Sequence, residues 1–260
     1  MEQDHCSISH RTFDSGLFRW AAEERQTPIT CAHREYPVGR TSLIWLDANR
    51  SKRPVKLDIW YRADPSGNLA GRYFPNLDAL WTDKTTAGAI SDRFGPALPG
   101  ITQGTFFSNA CDNARIAKSG RPFPLVLFSH GLGNSPYDYS IQLEDLVSHG
   151  YIVAAAEHIP DSLGVVMPDG RVVAFDRELW ERYASASSPE TIRYYEQRAI
   201  VWAEDLLFVL QKLHDLSIEK KSPFYGTIDL RRIGAFGHSL GGRSATTAVN
   251  PRLTDQSVPE

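Results

Sequence analysis

The sequence GHSLG at residues 237–241 constrains the fold of this chain more than any other feature. It follows a short apolar run at 233–236 and precedes a helix-forming stretch at 243–249. A strand that turns abruptly into a helix leaves one side chain exposed at the apex. Its strained backbone favours glycine two residues to either side of that side chain. The motif therefore predicts that Ser239 is a nucleophile at a helix N-terminus, where free N–H groups stabilise a developing oxyanion.

A second glycine-containing turn, HGLG at residues 130–133, directly follows another apolar run. A loop in this position supplies backbone N–H groups to an oxyanion hole in sheets of this kind. We predict that the N–H groups of Leu132 and Leu240 are the two donors. A plain strand-to-helix turn is the alternative interpretation of the 130–133 loop.

Three short apolar runs, at 123–128, 151–156 and 233–236, do not alternate with polar residues. This pattern is typical of strands buried on both faces, as in a parallel sheet covered by helices. Helical segments separate the runs. One begins at Ser135, before a proline, and the other begins at Ser188, also before a proline. The sequence therefore predicts the α/β class, with a mostly parallel sheet flanked by helices.

The part of the chain before these runs is organised differently. Strands are predicted at 43–46 and 55–61 around a turn-forming sequence, which indicates an N-terminal antiparallel hairpin. Residues 1–40 are weakly periodic and are interpreted as a decorating segment, with the main domain at 41–260. The stretch 63–120 lacks a clear period and is interpreted as an excursion that walls a pocket, or as an irregular surface loop.

Composition excludes several classes of protein. The net charge is −3, so a basic surface that follows a phosphate backbone is not expected, and neither is a nucleic-acid partner. No apolar stretch approaches the ~20 residues that span a bilayer. The polar N-terminus shows no signal peptide, so a cytoplasmic location is expected. The three cysteines lack metal-site spacing and are expected to be free thiols, with a Cys31–Cys111 disulfide as the alternative. No metal or cofactor is expected.

The blocks at residues 124–133, 148–158 and 233–242 resemble the platelet-activating-factor acetylhydrolase family of α/β-hydrolases. The likeness runs in order through roughly residues 36–250. It implies the α/β-hydrolase fold and a serine carboxylester hydrolase of lipid catabolism that removes short acyl groups without metal or cofactor. By the same resemblance Ser239 matches the nucleophile, and Leu132 and Leu240 match the oxyanion donors. The implied substrate is a small-molecule or lipid ester, the latter presented at a membrane surface.

The chain departs from this family's pattern after the nucleophile. The triad of such enzymes runs serine, then acid, then histidine along the chain, but no histidine follows Ser239. Asp255 lies in a polar tail and is interpreted as a loop residue, so the triad acid and base are not found in this chain. His158, with Asp161 nearby, is a weak candidate base. Two strand spacings, about 10 Å, are expected to separate it from the serine.

Three functional hypotheses remain. The first is a serine esterase of the acetylhydrolase or lipase type, truncated after the helix that follows Ser239 or completed by a second chain. The second is a non-catalytic remnant that binds an ester or a partner. The third is a dienelactone- or polyester-type hydrolase on the same scaffold. If the later strands are missing, the strand at 233–236 is a bare sheet edge, through which self-association is expected. Trp81, Tyr137 and Tyr139 are considered as pocket-lining residues or as simple packing.

Overall fold

The computed structural model describes residues 27–28, 36–64, 71–103, 106–184 and 188–250. Its strands are β1 (Thr27–Pro28), β2 (Val38–Asp47), β3 (Arg53–Arg62), β4 (Phe106–Phe107), β5 (Ala110–Asp112), β6 (Phe123–Ser129), β7 (Ile152–His158), β8 (Gly164–Val166), β9 (Val172–Ala174) and β10 (Ile228–Gly237). Its α-helices are α1 (Leu77–Leu80), α2 (Lys84–Phe94), α3 (Leu98–Thr102), α4 (Ser140–Ser148), α5 (Arg177–Ala184), α6 (Pro189–Ile218) and α7 (Leu240–Val249). Short 3-10 helices cover Gly95–Ala97 and Pro136–Tyr139.

Six strands form the central sheet in the order β10-β6-β7-β3-β2-β5. The pairs β10–β6, β6–β7 and β2–β5 are parallel, whereas β3 is antiparallel to both of its neighbours. Strands β2 and β3 pair from Val38 opposite Arg62 to Asp47 opposite Arg53. The mostly parallel sheet and the N-terminal antiparallel hairpin are therefore confirmed.

Helices cover both faces of the sheet, and β7 shows why the run at 152–156 is continuously apolar. All seven of its residues are buried. Because successive side chains of a strand point to opposite faces, Ile152 and Ala154 pack with α6, while Val153 packs with α4. A strand between two helical layers has no face for a polar side chain to reach water. This arrangement is that of the α/β-hydrolase fold, as predicted.

The long helix α6 begins where the sequence indicates. The side chain of Ser188 accepts the backbone N–H of Thr191 at 3.2 Å, and Pro189 takes the first helical position. Its apolar stripe is buried against the sheet and includes Leu206, Val209 and Leu213. No helix in the described part of the chain combines the length and apolarity needed to cross a bilayer.

The excursion at 63–120 is more ordered than an irregular loop. Its described residues contain α1, α2, α3, β4 and β5, and β5 adds a strand to the sheet. Buried apolar side chains such as Phe74, Leu77 and Ile90 join the core on the α4 side. The irregular-loop interpretation is therefore wrong, because these short helices bury enough apolar surface to be held by tertiary packing.

Strand β2 begins at Val38, so the hairpin starts before the predicted boundary at residue 41. Most of the 1–40 segment, with Cys31, and the tail that holds Asp255 lie outside the described residues. Strand β10 is at the edge of the described sheet, and its residues 231–234 are exposed. Self-association through that edge stays a prediction.

Candidate active site

Ser239 lies between β10 and α7 with backbone angles φ 54° and ψ −121°. A positive φ is uncommon for any residue other than glycine and stores strain that the surroundings must hold. The flanking glycines allow the necessary close packing. A methyl group on Gly241 would overlap the carbonyl oxygens of Ser129 and His130, and one on Gly237 would overlap the backbone of Gly241. The elbow is thus pressed directly against the end of β6.

A cavity of about 440 Å³ opens above this elbow. Its lining consists of Gly131, Leu132, Asn134, Trp180, Tyr195, His238, Ser239, Leu240 and Arg243. The predicted donors Leu132 and Leu240 therefore line the same cavity as Ser239. Leu240 is the first residue of α7, so its N–H has no partner inside that helix. Among the described residues, the Leu132 N–H also has no acceptor. Neither N–H therefore has a hydrogen-bond acceptor among the described residues.

The loop at 130–134 is held by Tyr139 from one side. The phenol oxygen accepts the N–H of Gly131 at 3.1 Å and the side-chain amide of Asn134 at 2.6 Å. The same oxygen lies 2.9 Å from Nδ1 of His238. Because the first two partners donate, the phenol proton goes to His238. Tyr139 thus ties the loop to the elbow, and its partial burial raises its pKa.

Further contacts hold the other end of the loop. Arg93 of α2 donates to the carbonyl oxygen of Gly133 at 3.0 Å and to Oδ1 of Asn134 at 2.9 Å. The N–H of Gly133 donates to the carbonyl oxygen of Asp161 at 2.9 Å. The excursion at 63–120, through α2, therefore supports the loop that carries Leu132.

The same excursion also walls a second cavity of about 340 Å³. It shares Leu132 and Trp180 with the cavity above Ser239 and extends between α2 and α5. Its other lining residues are Ala89, Asp92, Arg93, Gly133, Leu163, Phe175 and Arg177. The pocket-wall interpretation of the excursion holds for α2. Trp81, Tyr137 and Tyr139 line neither cavity. Trp180 and Tyr195, which the sequence did not single out, line the cavity above Ser239.

His158, the weak candidate base, lies in the core. Its ring is fully buried and does not line the cavity above Ser239. Nδ1 lies 2.9 Å from Oδ2 of Asp205, and Nε2 lies 2.8 Å from Oγ of Ser129. A carboxylate only accepts, so Nδ1 carries a proton, and in the neutral ring Nε2 accepts from the Ser129 hydroxyl. Neither nitrogen is left for Ser239.

The acid beside His158 is also not the one that the sequence suggests. Asp161 instead accepts the indole N–H of Trp202 at 2.8 Å and pairs with Arg198 at 3.2 Å. Asp205, on α6, is fully buried and receives two hydrogen bonds of 2.8 Å from Arg53. These bonds and His158 lower its pKa below the ordinary range, although burial alone would raise it. The sequence signal that could have pointed to Asp205 is an aspartate beside the apolar stripe of α6.

The described residues offer few partners for Ser239 itself. No side chain among them hydrogen-bonds its hydroxyl, and the histidine in its cavity wall, His238, is turned to Tyr139. No group of three or more histidine, cysteine or acidic side chains in the described ranges is arranged to hold a metal ion. The site therefore offers an exposed serine, two free amides and a cavity.

The chain is similar to several known proteins. Curated relatives named platelet-activating factor acetylhydrolase are 28% identical in Cavia porcellus and 28% identical in Bos taurus, over 86% and 88% of this chain. The chain spans about half the length of these relatives, 52% and 54%. A solved structure, the ferulic acid esterase from Streptomyces cinnamoneus, is 25% identical with a TM-score of 0.62. That match covers 86% of this chain and 58% of the esterase chain.

A family model gives the broadest match. The model described as platelet-activating factor acetylhydrolase, isoform II, matches residues 21–256. This range contains the elbow at Ser239, the 130–134 loop and every strand of the central sheet. The chain therefore belongs to the platelet-activating factor acetylhydrolase isoform II family.

Proposed function

We propose that this chain carries the nucleophile and oxyanion hole of a serine carboxylester hydrolase. One observation carries the proposal: Ser239 stands at a strained strand-to-helix elbow in the same cavity wall as the unbonded amides of Leu132 and Leu240. This combination presents a hydroxyl and two N–H donors to one carbonyl group, which is what acyl transfer requires. Family membership and the esterase neighbour support the same chemistry.

The proposed reaction has two steps. The Ser239 oxygen bonds to the acyl carbon, its proton passes to a base, and the N–H groups of Leu132 and Leu240 stabilise the negative carbonyl oxygen. The ester C–O bond then breaks, and the alcohol leaves with a proton. Water attacks the resulting acyl-enzyme and releases the acid. We propose no role for His158 as the base, because both of its ring nitrogens are already bonded in the core.

The proposed substrate is a small-molecule or lipid ester with a short acyl group. The names of the relatives, which specify an acetylhydrolase, support a short acyl group. A lipid ester would be presented at a membrane surface. The second cavity adjoins the first at Leu132 and Trp180 and offers space for the remainder of such an ester.

A second candidate function is ester binding without turnover. It is favoured by the finding that, within the described ranges, no imidazole is hydrogen-bonded to Ser239. Without its base a triad serine loses most of its rate. Binding and turnover share one cavity, so only the reactivity of Ser239 separates them.

Labelling by a fluorophosphonate probe tests the choice. Such a probe reacts with an activated serine hydroxyl. Esterase activity predicts labelling of the folded chain that disappears in Ser239→Ala. A folded protein that does not label would overturn the esterase proposal and support binding alone. Hydrolysis of p-nitrophenyl acetate, butyrate and octanoate then tests the acyl preference. We expect kcat/KM to fall as the acyl chain becomes longer.

A further inference from the structure

We propose that His130 is a positioning residue that aims the Leu132 N–H into the cavity. This inference rests on the proposed function, because it concerns one of the oxyanion donors. His130 is fully buried and does not line the cavity above Ser239. Its imidazole Nδ1 lies 2.7 Å from the carbonyl oxygen of the next residue, Gly131.

The proton on this ring can be assigned from its partners. The backbone N–H of His158 lies 3.1 Å from Nε2 of His130. A backbone N–H can only donate, so Nε2 must present its lone pair and carries no proton. A neutral ring then holds its proton on Nδ1, which donates to the Gly131 oxygen. A protonated ring would face the His158 N–H with a second donor. Burial and the neighbouring His158 also lower the pKa of His130 well below its ordinary value.

The bond to Gly131 acts on Leu132 through the planar peptide unit. The carbonyl of Gly131 and the N–H of Leu132 belong to the same peptide group, and in a trans peptide they point in opposite directions. When His130 holds the carbonyl toward the core, the N–H must point away from the core. Leu132 lines the cavity above Ser239, so the inferred direction of its N–H is into that cavity.

His130 does not hold this peptide alone. The Gly131 oxygen also accepts the N–H of Asn134 at 3.0 Å, as part of the turn. The histidine differs because its own position is fixed from β7 and α6. It is bonded to the His158 backbone, and its ring centre lies 5.2 Å from that of Trp202. The imidazole therefore links the rigid core to the peptide group that carries the Leu132 N–H, one of the two proposed oxyanion donors.

Two isosteric substitutions separate the two bonds of the ring. In His130→Asn the side-chain amide takes the place of Nδ1 and can still donate to Gly131. In His130→Gln the carboxamide reaches the place of Nε2 and can still accept from His158, but the donor to Gly131 is lost. We expect His130→Asn to keep kcat for p-nitrophenyl acetate within about 3-fold. We expect His130→Gln to lower kcat by about 10-fold with KM within about 2-fold, less than the ~10²–10³-fold cost of deleting an oxyanion donor.

A purely structural role predicts a different result, in which both variants lose stability and activity in parallel. Equal kcat values for the asparagine and glutamine variants at matched melting temperature would overturn the proposal. The ring proton can also be observed without any substitution. Long-range proton–nitrogen NMR of the wild-type protein should show His130 protonated on Nδ1, and protonation on Nε2 would contradict the inference.

A readout that does not depend on turnover separates this inference from the esterase proposal. Crystal structures of the two variants should show the Gly131–Leu132 peptide unchanged in His130→Asn and rotated in His130→Gln. An unrotated peptide in both would overturn the role of His130. If the wild-type chain shows no Ser239-dependent turnover, the esterase proposal fails, and the peptide orientation and the ring tautomer still decide whether His130 positions Leu132.

Discussion

A catalytic serine needs both hydrogen-bonded partners and an accessible position, and in this protein two different serines each have one of these. Ser129 has the hydrogen-bonded partners, since its hydroxyl meets His158, which in turn meets Asp205. Ser239 has the position, at a strained elbow beside two free amides and a cavity. Ser129, His158 and Asp205 form a row of hydrogen-bonded side chains, the buried chain, and all three are fully buried, so no ester can reach them. A serine, a histidine and an aspartate that are linked by hydrogen bonds therefore do not by themselves form an active site. The serine hydroxyl must also be accessible and must face an oxyanion hole.

The buried chain has a mechanical role instead. Asp205 joins α6 to the β2–β3 hairpin through Arg53, and His158 joins α6 to the ends of β7 and β6. The His158 ring also stacks on Trp202, with centres 4.2 Å apart and planes at 8°. These contacts fix the strand ends from which the 130–134 loop departs. The hydrogen bonds of Ser129, His158 and Asp205 therefore support the strand ends beside Ser239 and do not form a second active site.

The largest expected effect concerns the hydroxyl groups of Ser239 and Ser129. Ser239→Ala should lower kcat/KM for p-nitrophenyl acetate by ~10³-fold or more, because the attacking atom is lost. Ser129→Ala should change it by less than ~3-fold, since the Ser129 hydroxyl lies in the core. Steady-state kinetics of both variants measure the difference. Loss of activity in Ser129→Ala at unchanged stability would reverse the roles assigned here.

The next effect concerns the charge at the end of the buried chain. Asp205→Asn should lower the free energy of unfolding by about 3 kcal/mol, because removing one partner of a buried ion pair leaves the other uncompensated. The neighbouring Glu204→Gln is a matched control, since Glu204 is exposed and meets Arg50 at 3.4 Å. It should cost less than about 1 kcal/mol. Urea denaturation of both variants measures the two values, and equal losses would contradict the prediction.

The same aspartate predicts an acid-sensitive stability. Its pKa is lowered in the folded state, so the unfolded chain binds the proton more readily. The stabilisation is therefore present above the ordinary aspartate pKa of about 4 and is lost as the pH falls below it. Urea denaturation between pH 6 and 3 should show a shallower decline for Asp205→Asn than for the wild type. Parallel pH profiles would refute this assignment.

His130 provides a smaller effect at milder pH. Its pKa is lowered in the folded state, so above about pH 6.5 both states are neutral and no penalty arises. Below that pH the unfolded chain gains a proton that the folded ring resists, and the wild type should lose up to about 1.4 kcal/mol per pH unit. His130→Asn removes this titration. Its unfolding free energy should therefore fall less than that of the wild type between pH 7.5 and 5.5.

The smallest expected effect is on the stability of the buried chain itself. Ser129→Ala leaves Nε2 of His158 without its donor and should lower the free energy of unfolding by about 1 kcal/mol. Thermal denaturation measures the change. If Ser129→Ala instead stabilised the protein, the Ser129 hydroxyl would contribute nothing to the stability of the buried chain, and its proposed structural role would be wrong.

The features that were predictable from the sequence are local ones. Residues 123–128 and 151–156 indicate buried strands because a run without polar residues has no solvent-facing side. The elbow at Ser239 is predictable because its glycines and flanking elements are contiguous. Asp205 was not predictable as the partner of His158, because 47 residues separate the two and only the crossing of α6 over the sheet brings them together. The short helices of the 63–120 stretch were missed because each is held by packing rather than by its own period.

The pairing of β10 with β6 has a consequence for the order in which the protein folds. Ile233 lies beside Leu125, so the contact closes a chain segment of about a hundred residues. Contacts between distant segments carry a large loop-closure entropy and slow folding. The β2–β3 hairpin, by contrast, is local. Because Gly241 packs on the backbone of Ser129 and His130, the elbow and the 130–134 loop close against each other. The end of the sheet that carries the elbow and the 130–134 loop is therefore expected to assemble late, as one cooperative unit.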